Sequence, residues 1–208
     1  STRVRSSAAS DVYKRQALVS ALDDIAAWLD PVQGLCQLIF DDVPDRYFMA
    51  RLNDAVDCER LIRSAGSFDL KFFCPDPFAY AITDETFSIT EEGIHTITRN
   101  IGNIESLPVY RISGVITAGA SNYISITTNG SELKIVNATL SEGETLVVDT
   151  DKMTAYVVDE NGETLRNGLP YLQELNFPTL AVGENTVTVE VNNATLTELQ
   201  IGAKSRWR

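Results

Sequence analysis

Between Ala17 and Leu29 the apolar residues Leu18, Leu22, Ile25, Ala26 and Leu29 recur at intervals of three and four, which places them on one face of a helix. Pro31 stops that pattern. The next apolar runs are short and strand-like, at 35–40 and 46–52. They are joined by Asp41-Asp42-Val43-Pro44-Asp45, whose residue types favour a turn, so the stretch predicts a β-hairpin. From 67 to 74 the chain alternates, with Phe68, Leu70 and Phe72 on one side and Asp69, Lys71 and Phe73 on the other. Pro75 and Pro77 end this strand, because proline cannot donate to a ladder.

After about residue 83 the texture changes: helical spacing disappears, and Thr, Val, Ile, Asn and Gly dominate. Strands are predicted at 93–100, 109–116, 123–127, 132–136, 146–149, 155–158, 185–191 and 196–201, separated by turn signals such as Asn129-Gly130 and Asn161-Gly162. Eight short strands without a helix predict a two-sheet sandwich or jelly roll. Val187, Val189 and Val191 alternate with Thr186, Thr188 and Glu190, the clearest one-sided strand in the chain. With Leu199 and Ile201 they form the expected core. Asn137-Ala138-Thr139-Leu140 and Asn193-Ala194-Thr195-Leu196 read as two similar turns, too short to indicate a repeat architecture.

The expected fold is therefore mainly β, with an α+β unit containing one helix over 17–83 and a sandwich over 84–208. The opening stretch 1–16, STRVRSSAASDVYKRQ, is polar and basic and looks like a translated adapter. It is read as a non-native or disordered tail, which would leave the first domain incomplete. With 208 residues the chain has room for two small domains.

Charge and composition narrow the function. A net charge of -12 without a basic cluster disfavours nucleic-acid binding. No apolar run approaches the roughly 18 residues of a spanning helix, so membrane insertion is not expected. Cys36, Cys58 and Cys74 are odd in number and form no CxxC pair, which argues against a disulfide framework or zinc site and for buried free thiols.

The candidate chemistry is sparse. His95 is the only histidine, and its neighbours Ile94, Thr96 and Ile97 make a strand rather than a nucleophile turn. The acidic pairs Asp41-Asp42, Glu91-Glu92, Asp149/Asp151 and Asp159-Glu160 read as solvated turns, although a glycosidase would need two carboxyl groups across a cleft. Asp149-Thr150-Asp151 lacks the later Gly and Glu of an EF-hand loop. Asn129, Asn137 and Asn193 are glycosylation sequons that would matter only in a eukaryotic secretory pathway. Neither phosphate-loop pattern occurs. Tyr110, Tyr123, Tyr156 and Tyr171 are the aromatic candidates for stacking on sugar, with core packing as their ordinary alternative. No catalytic, metal or cofactor-binding residue and no cofactor is expected.

Two segments resemble the N-terminal domain of siphophage distal tail (Dit) proteins: 41–52, DDVPDRYFMARL, and 66–80, GSFDLKFFCPDPFAY. The second half resembles the C-terminal domain of the same family through Asn100-Ile101-Gly102-Asn103 with Pro108, Leu146-Val147-Val148-Asp149, Asn176-Phe177-Pro178-Thr179-Leu180 and Gly183-Glu184-Asn185-Thr186-Val187. The resemblance implies a noncatalytic baseplate component made in the bacterial host cytoplasm and carried at the virion tail tip. It implies an N-terminal domain that assembles into a hexameric ring at the end of the tail tube, and a galectin-like sandwich projecting outward. The implied partners are copies of itself, the tail tube, and a tail-associated lysin or fibre. The alternative is a carbohydrate-binding sandwich that contacts host cell-wall glycan.

Overall fold

The computed structural model describes residues 34–53 and 71–208. The tail at 1–16, the helix expected at 17–29, Cys58 and the first part of the strand expected at 67–74 lie outside the described residues. The chain forms two compact units: one takes its described residues from 34–39, 48–53 and 71–77, the other from 40–47 and 78–208.

Strands β1 (Cys36–Phe40) and β2 (Val43–Leu52) are joined by a turn at Asp41-Asp42. The turn is shorter than the expected 41–45, because Val43, Pro44 and Asp45 already belong to β2. In the first unit β2 pairs with β3 (Phe72–Phe73) through Arg51↔Phe73 and Leu52↔Phe72, and Asn53 N–H donates to the Lys71 carbonyl at 2.8 Å. Ala50 and Leu52 are buried there. Cys36 and Cys74 correct the expectation of buried thiols: both are free and exposed, since Cys36 stands on β1 and Cys74 directly follows β3, two short strands that leave much of their apolar surface uncovered.

The second unit is a sandwich of ten strands among the described residues. One sheet has the order β12-β11-β10-β7-β14-β5 and the other β6-β13-β8-β9. The bounds are β5 (Thr86–Ile89), β6 (Gly93–Arg99), β7 (Val109–Ile116), β8 (Tyr123–Thr128), β9 (Ser131–Val136), β10 (Thr145–Asp149), β11 (Thr154–Val158), β12 (Thr164–Asn167), β13 (Gly183–Asn192) and β14 (Ala194–Gly202). The eight predicted strands are all present. β5 and β12 are too short, at four residues each, to show a period: β5 gives the core Ile89 and the partly buried Phe87, and β12 has no buried residue. A further pair, β4 (Ala79–Ala81) and β15 (Arg206–Trp207), lies outside the two sandwich sheets, with Arg206↔Tyr80 and Trp207↔Ala79 opposite each other. Arg46, from the first half of β2, stacks 4.1 Å over the Trp207 ring. The only helical element among the described residues of this unit is a 3-10 turn at Leu169–Tyr171.

The core lies between the inner faces of the two sheets. Tyr110, Ile112, Leu146, Val148, Leu199 and Ile201 from one sheet meet Ile124, Ile126, Leu133, Ile135, Val187 and Val189 from the other, all buried. Val191, predicted to point inward, does so but is only partly buried. The turns follow their residue types. Asn129 and Gly130, with φ of 51° and 85°, link β8 to β9 in the doubly left-handed turn that Asn-Gly adopts at low cost. Asn137 and Asn193 both have φ of 49°, so the two Asn-Ala-Thr-Leu segments are similar turns, and both flank Ile116, which pairs with Leu140 and with Ala194.

Candidate functional site

The second-half segments that carry the family resemblance meet at one end of the sandwich. There β7 begins beside the ends of β10 and β14 (Val109↔Asp149 and Gly202↔Val109), and β13 begins beside the ends of β6 and β8 (Gly183↔Arg99 and Val187↔Thr128). Arg99 sits two residues after the inward-facing Ile97, at an inward position of β6, and is fully buried. Its guanidinium donates to three carbonyls: Ala181 at 3.0 Å, Ile101 at 3.1 Å and Ile104 at 2.5 Å. Burial lowers its pKa, and the nearby Asp84 and Glu85 oppose that shift. The Glu85 carboxylate accepts from Asn100 N–H at 2.9 Å and Ile101 N–H at 3.1 Å, so the Asn100–Asn103 loop is held from both sides. Gly102 is required there: φ is +92°, and a Cβ would come within 2.7 Å of the Arg206 carbonyl.

The other motifs serve the same end. The Asn185 side-chain oxygen accepts from Ala181 N–H and the Asn129 amide, both at 2.7 Å, while its amide donates to the Ala181 and Gly183 carbonyls. Tyr110 donates to Thr128 Oγ1 at 3.1 Å and lies 3.3 Å from the Pro178 carbonyl, joining the two sheets. Its burial pushes the phenol pKa up. Asp149 accepts from the Asp151 and Lys152 N–H groups and faces Lys204 Nζ at 3.3 Å. What the motifs specify here is a set of buried polar bonds that fixes loop conformation. Sequence reading missed the roles of Arg99, Glu85 and Lys204, although a charged residue at an inward strand position was the available signal for Arg99.

The candidates for chemistry are scattered. His95 Nε2 lies 3.0 Å from the Glu91 carbonyl of its own turn. Lys204, 3.5 Å from Asp151 as well, supplies a cation beside the Asp149-Thr150-Asp151 carboxylates. Among the described residues no group of three metal-ligating side chains comes together. Asp159 accepts from Asn161 and Glu163 N–H and shapes the Asn161-Gly162 turn. The four tyrosines share no surface. Tyr110 is a core residue, which removes it as a sugar platform. Alternation puts Tyr123 and Tyr156 on the outer faces of different sheets. Tyr171 accepts from Arg166 Nε at 3.1 Å.

That arginine belongs to a second polar centre, also missed in the sequence. Arg166 on β12 makes a two-pronged pair with Glu144, at 2.6 and 2.7 Å, and donates to the Thr139 carbonyl. The pairing, together with Ser141 N–H, holds the Glu144 carboxyl down to about 2 and raises the Arg166 pKa. Next to it, the outer face of the six-stranded sheet carries two adjoining depressions of about 260 and 320 Å³. Both are floored by Ser113, Thr145 and Glu198, with Arg111 and Gln200 at one end and Glu142 at the other. An extra residue in β14 between Leu196 and Glu198 turns Glu198 toward this floor. No helix of the described residues is long and apolar enough to cross a membrane.

Comparison with known proteins agrees with the motifs. The crystal structure of the phage SPP1 Dit protein, described as a paradigm of hub adsorption apparatus in phages infecting Gram-positive bacteria, superposes with a TM-score of 0.57 at 16% sequence identity. The match takes in 84% of this chain and 66% of that one, so the chain spans just under two thirds of the SPP1 protein's length. No curated protein sequence matches the chain. Residues 101–207 match the family model of the siphovirus-type tail component, C-terminal domain. That match covers more than half of the sequence and includes the Asn100–Asn103 loop from Ile101 on, Asn185 and the Lys204–Asp149 pair, so the chain belongs to the Dit family of siphovirus-type tail components.

Proposed function

We propose that this protein is a noncatalytic structural subunit of the phage tail tip, forming with copies of itself the hub ring at the distal end of the tail tube. The observation that carries the reading is the family match over 101–207, supported by a fold like that of a phage hub protein. The site geometry is of the same kind. The buried side chains of Arg99, Asn185 and Tyr110 are bonded to backbone and to other side chains, which suits a rigid β surface presented to neighbours. A closed ring is a head-to-tail assembly, in which each subunit offers two different patches, and it depends on rigid surfaces more than on a pocket. Tail-tube protein and a lysin or fibre are the expected neighbours. The test is sedimentation and negative-stain microscopy of the protein alone and mixed with the tail-tube protein of the same phage. Sixfold rings are expected; a monomer that persists at high concentration in both samples overturns the reading.

A second reading, sugar binding by the sandwich, rests on the polar depression floored by Ser113, Thr145 and Glu198. Titration with host cell-wall polysaccharide tests it. Binding weaker than millimolar, or binding unchanged by Arg111→Ala, removes it.

A further inference from the structure

The four edge strands of the sandwich are β12, β5, β6 and β9. β12 and β5 have four residues each. β9 is covered by the chain itself: Leu172 bridges to Ile135, Gln173 N–H donates to the Lys134 carbonyl at 2.9 Å, and the Asn176 amide donates to the Glu132 carbonyl at 2.8 Å. β6 is different. It is seven residues long, pairs with β13 on one side in unbroken register, and among the described residues no strand lies along its other side.

Exposed edges are normally protected by lysine, proline, a bulge or a covering segment. Gly93-Ile94-His95-Thr96-Ile97-Thr98-Arg99 has none of these, and its arginine is turned into the core. Ile94 is 76% exposed, the largest exposure among the large apolar residues described, and stands on the outer face with Thr96 and Thr98. Both ends of the edge are acidic. Exposed Glu91 and Glu92 precede it, and exposed Glu184 lies opposite Thr98.

We infer that β6 is a docking edge for an extended segment of another protein, with β-branched or threonine residues in the middle and a lysine or arginine at each end. Backbone hydrogen bonds would add it to the four-stranded sheet as a fifth strand, with its alternate side chains beside Ile94, Thr96 and Thr98. The acidic ends select basic residues. They also disfavour a second copy, because two β6 strands would bring together edges whose flanks have the same charge. Seven residues are moreover far fewer than the roughly 20–30 on each side of a stable dimer interface, which suits a strand delivered by a partner anchored elsewhere. This inference goes beyond the hub-ring reading and is tested apart from it.

The test uses the full chain and an eight-residue peptide of alternating threonine and valine with lysine at both ends. Amide shifts and hydrogen exchange are followed by NMR. The expected result is protection of amides in β6, at least tenfold weaker binding by Ile94→Lys with an unchanged melting temperature, and at least tenfold weaker binding of the same peptide ended by glutamate. No change at β6 at millimolar peptide, or equal binding of the glutamate-ended peptide, overturns the inference. So does a β6-mediated dimer abolished by Ile94→Lys, which assigns the edge to a second copy. Ring formation by Ile94→Lys, measured in parallel, reports on the hub reading independently.

Discussion

Replacing Glu144 by Gln removes the charge of the Arg166–Glu144 pair and keeps its shape. The carboxyl titrates at about 2 in the folded protein against an ordinary 4.5. At about 1.4 kcal/mol per pKa unit, the full shift corresponds to roughly 3 kcal/mol. The side chains of Arg166 and Glu144 are 32% and 18% exposed, so solvent screening reduces the expected contribution to about 1–2 kcal/mol. The folded pKa is the lower one. The stabilisation is therefore fully present above the unfolded value of 4.5 and is lost as pH falls toward about 2. Urea unfolding of wild type and Glu144→Gln, followed by circular dichroism at pH 7, 4, 3 and 2, should show a gap of about 1–2 kcal/mol at pH 7 that closes as the acid form populates. Subtracting the two proteins cancels the other titrating groups. A gap that stayed constant down to pH 2 would show that Glu144 acts through packing and neutral hydrogen bonds, and no gap at pH 7 would refute the role given to the pair.

Three further substitutions probe the sandwich. Val189→Asp puts an unpaired charge at a position 1% exposed and should cost several kcal/mol; an unchanged melting curve would mean that β13 buries its other face. Gly114→Ala would place a Cβ 2.1 Å from the Thr195 carbonyl oxygen. It should separate β7 from β14 and lower the melting temperature by roughly 5 °C or more, so wild-type stability would contradict the close approach. Tyr110→Phe leaves Thr128 Oγ1 without its buried donor and should cost about 1–2 kcal/mol in urea titrations; a more stable variant would show that the hydroxyl is not satisfied in the folded protein.

Much of the sandwich was legible because a strand's period of two is local. Val187 and Val189 face one way and Thr186 and Thr188 the other in any strand, and the Asn129-Gly130 turn follows from the cheap positive φ of its residues. Family membership was legible for a related reason: Asn185, Gly102 and Asp149 are residue types that a particular loop geometry requires, so they stand out without any knowledge of their partners. Tertiary structure decided what depends on residues far apart in the chain. Glu144 is 22 positions from Arg166, and Lys204 is 55 from Asp149, and no periodicity links such pairs. The same holds for Tyr110, an aromatic on a strand by sequence, whose place in the core depends on which sheet closes over it. Whether an edge is covered is equally nonlocal: β6 and β9 both read as alternating strands, and only the path of residues 172–176 distinguishes the closed edge from the open one.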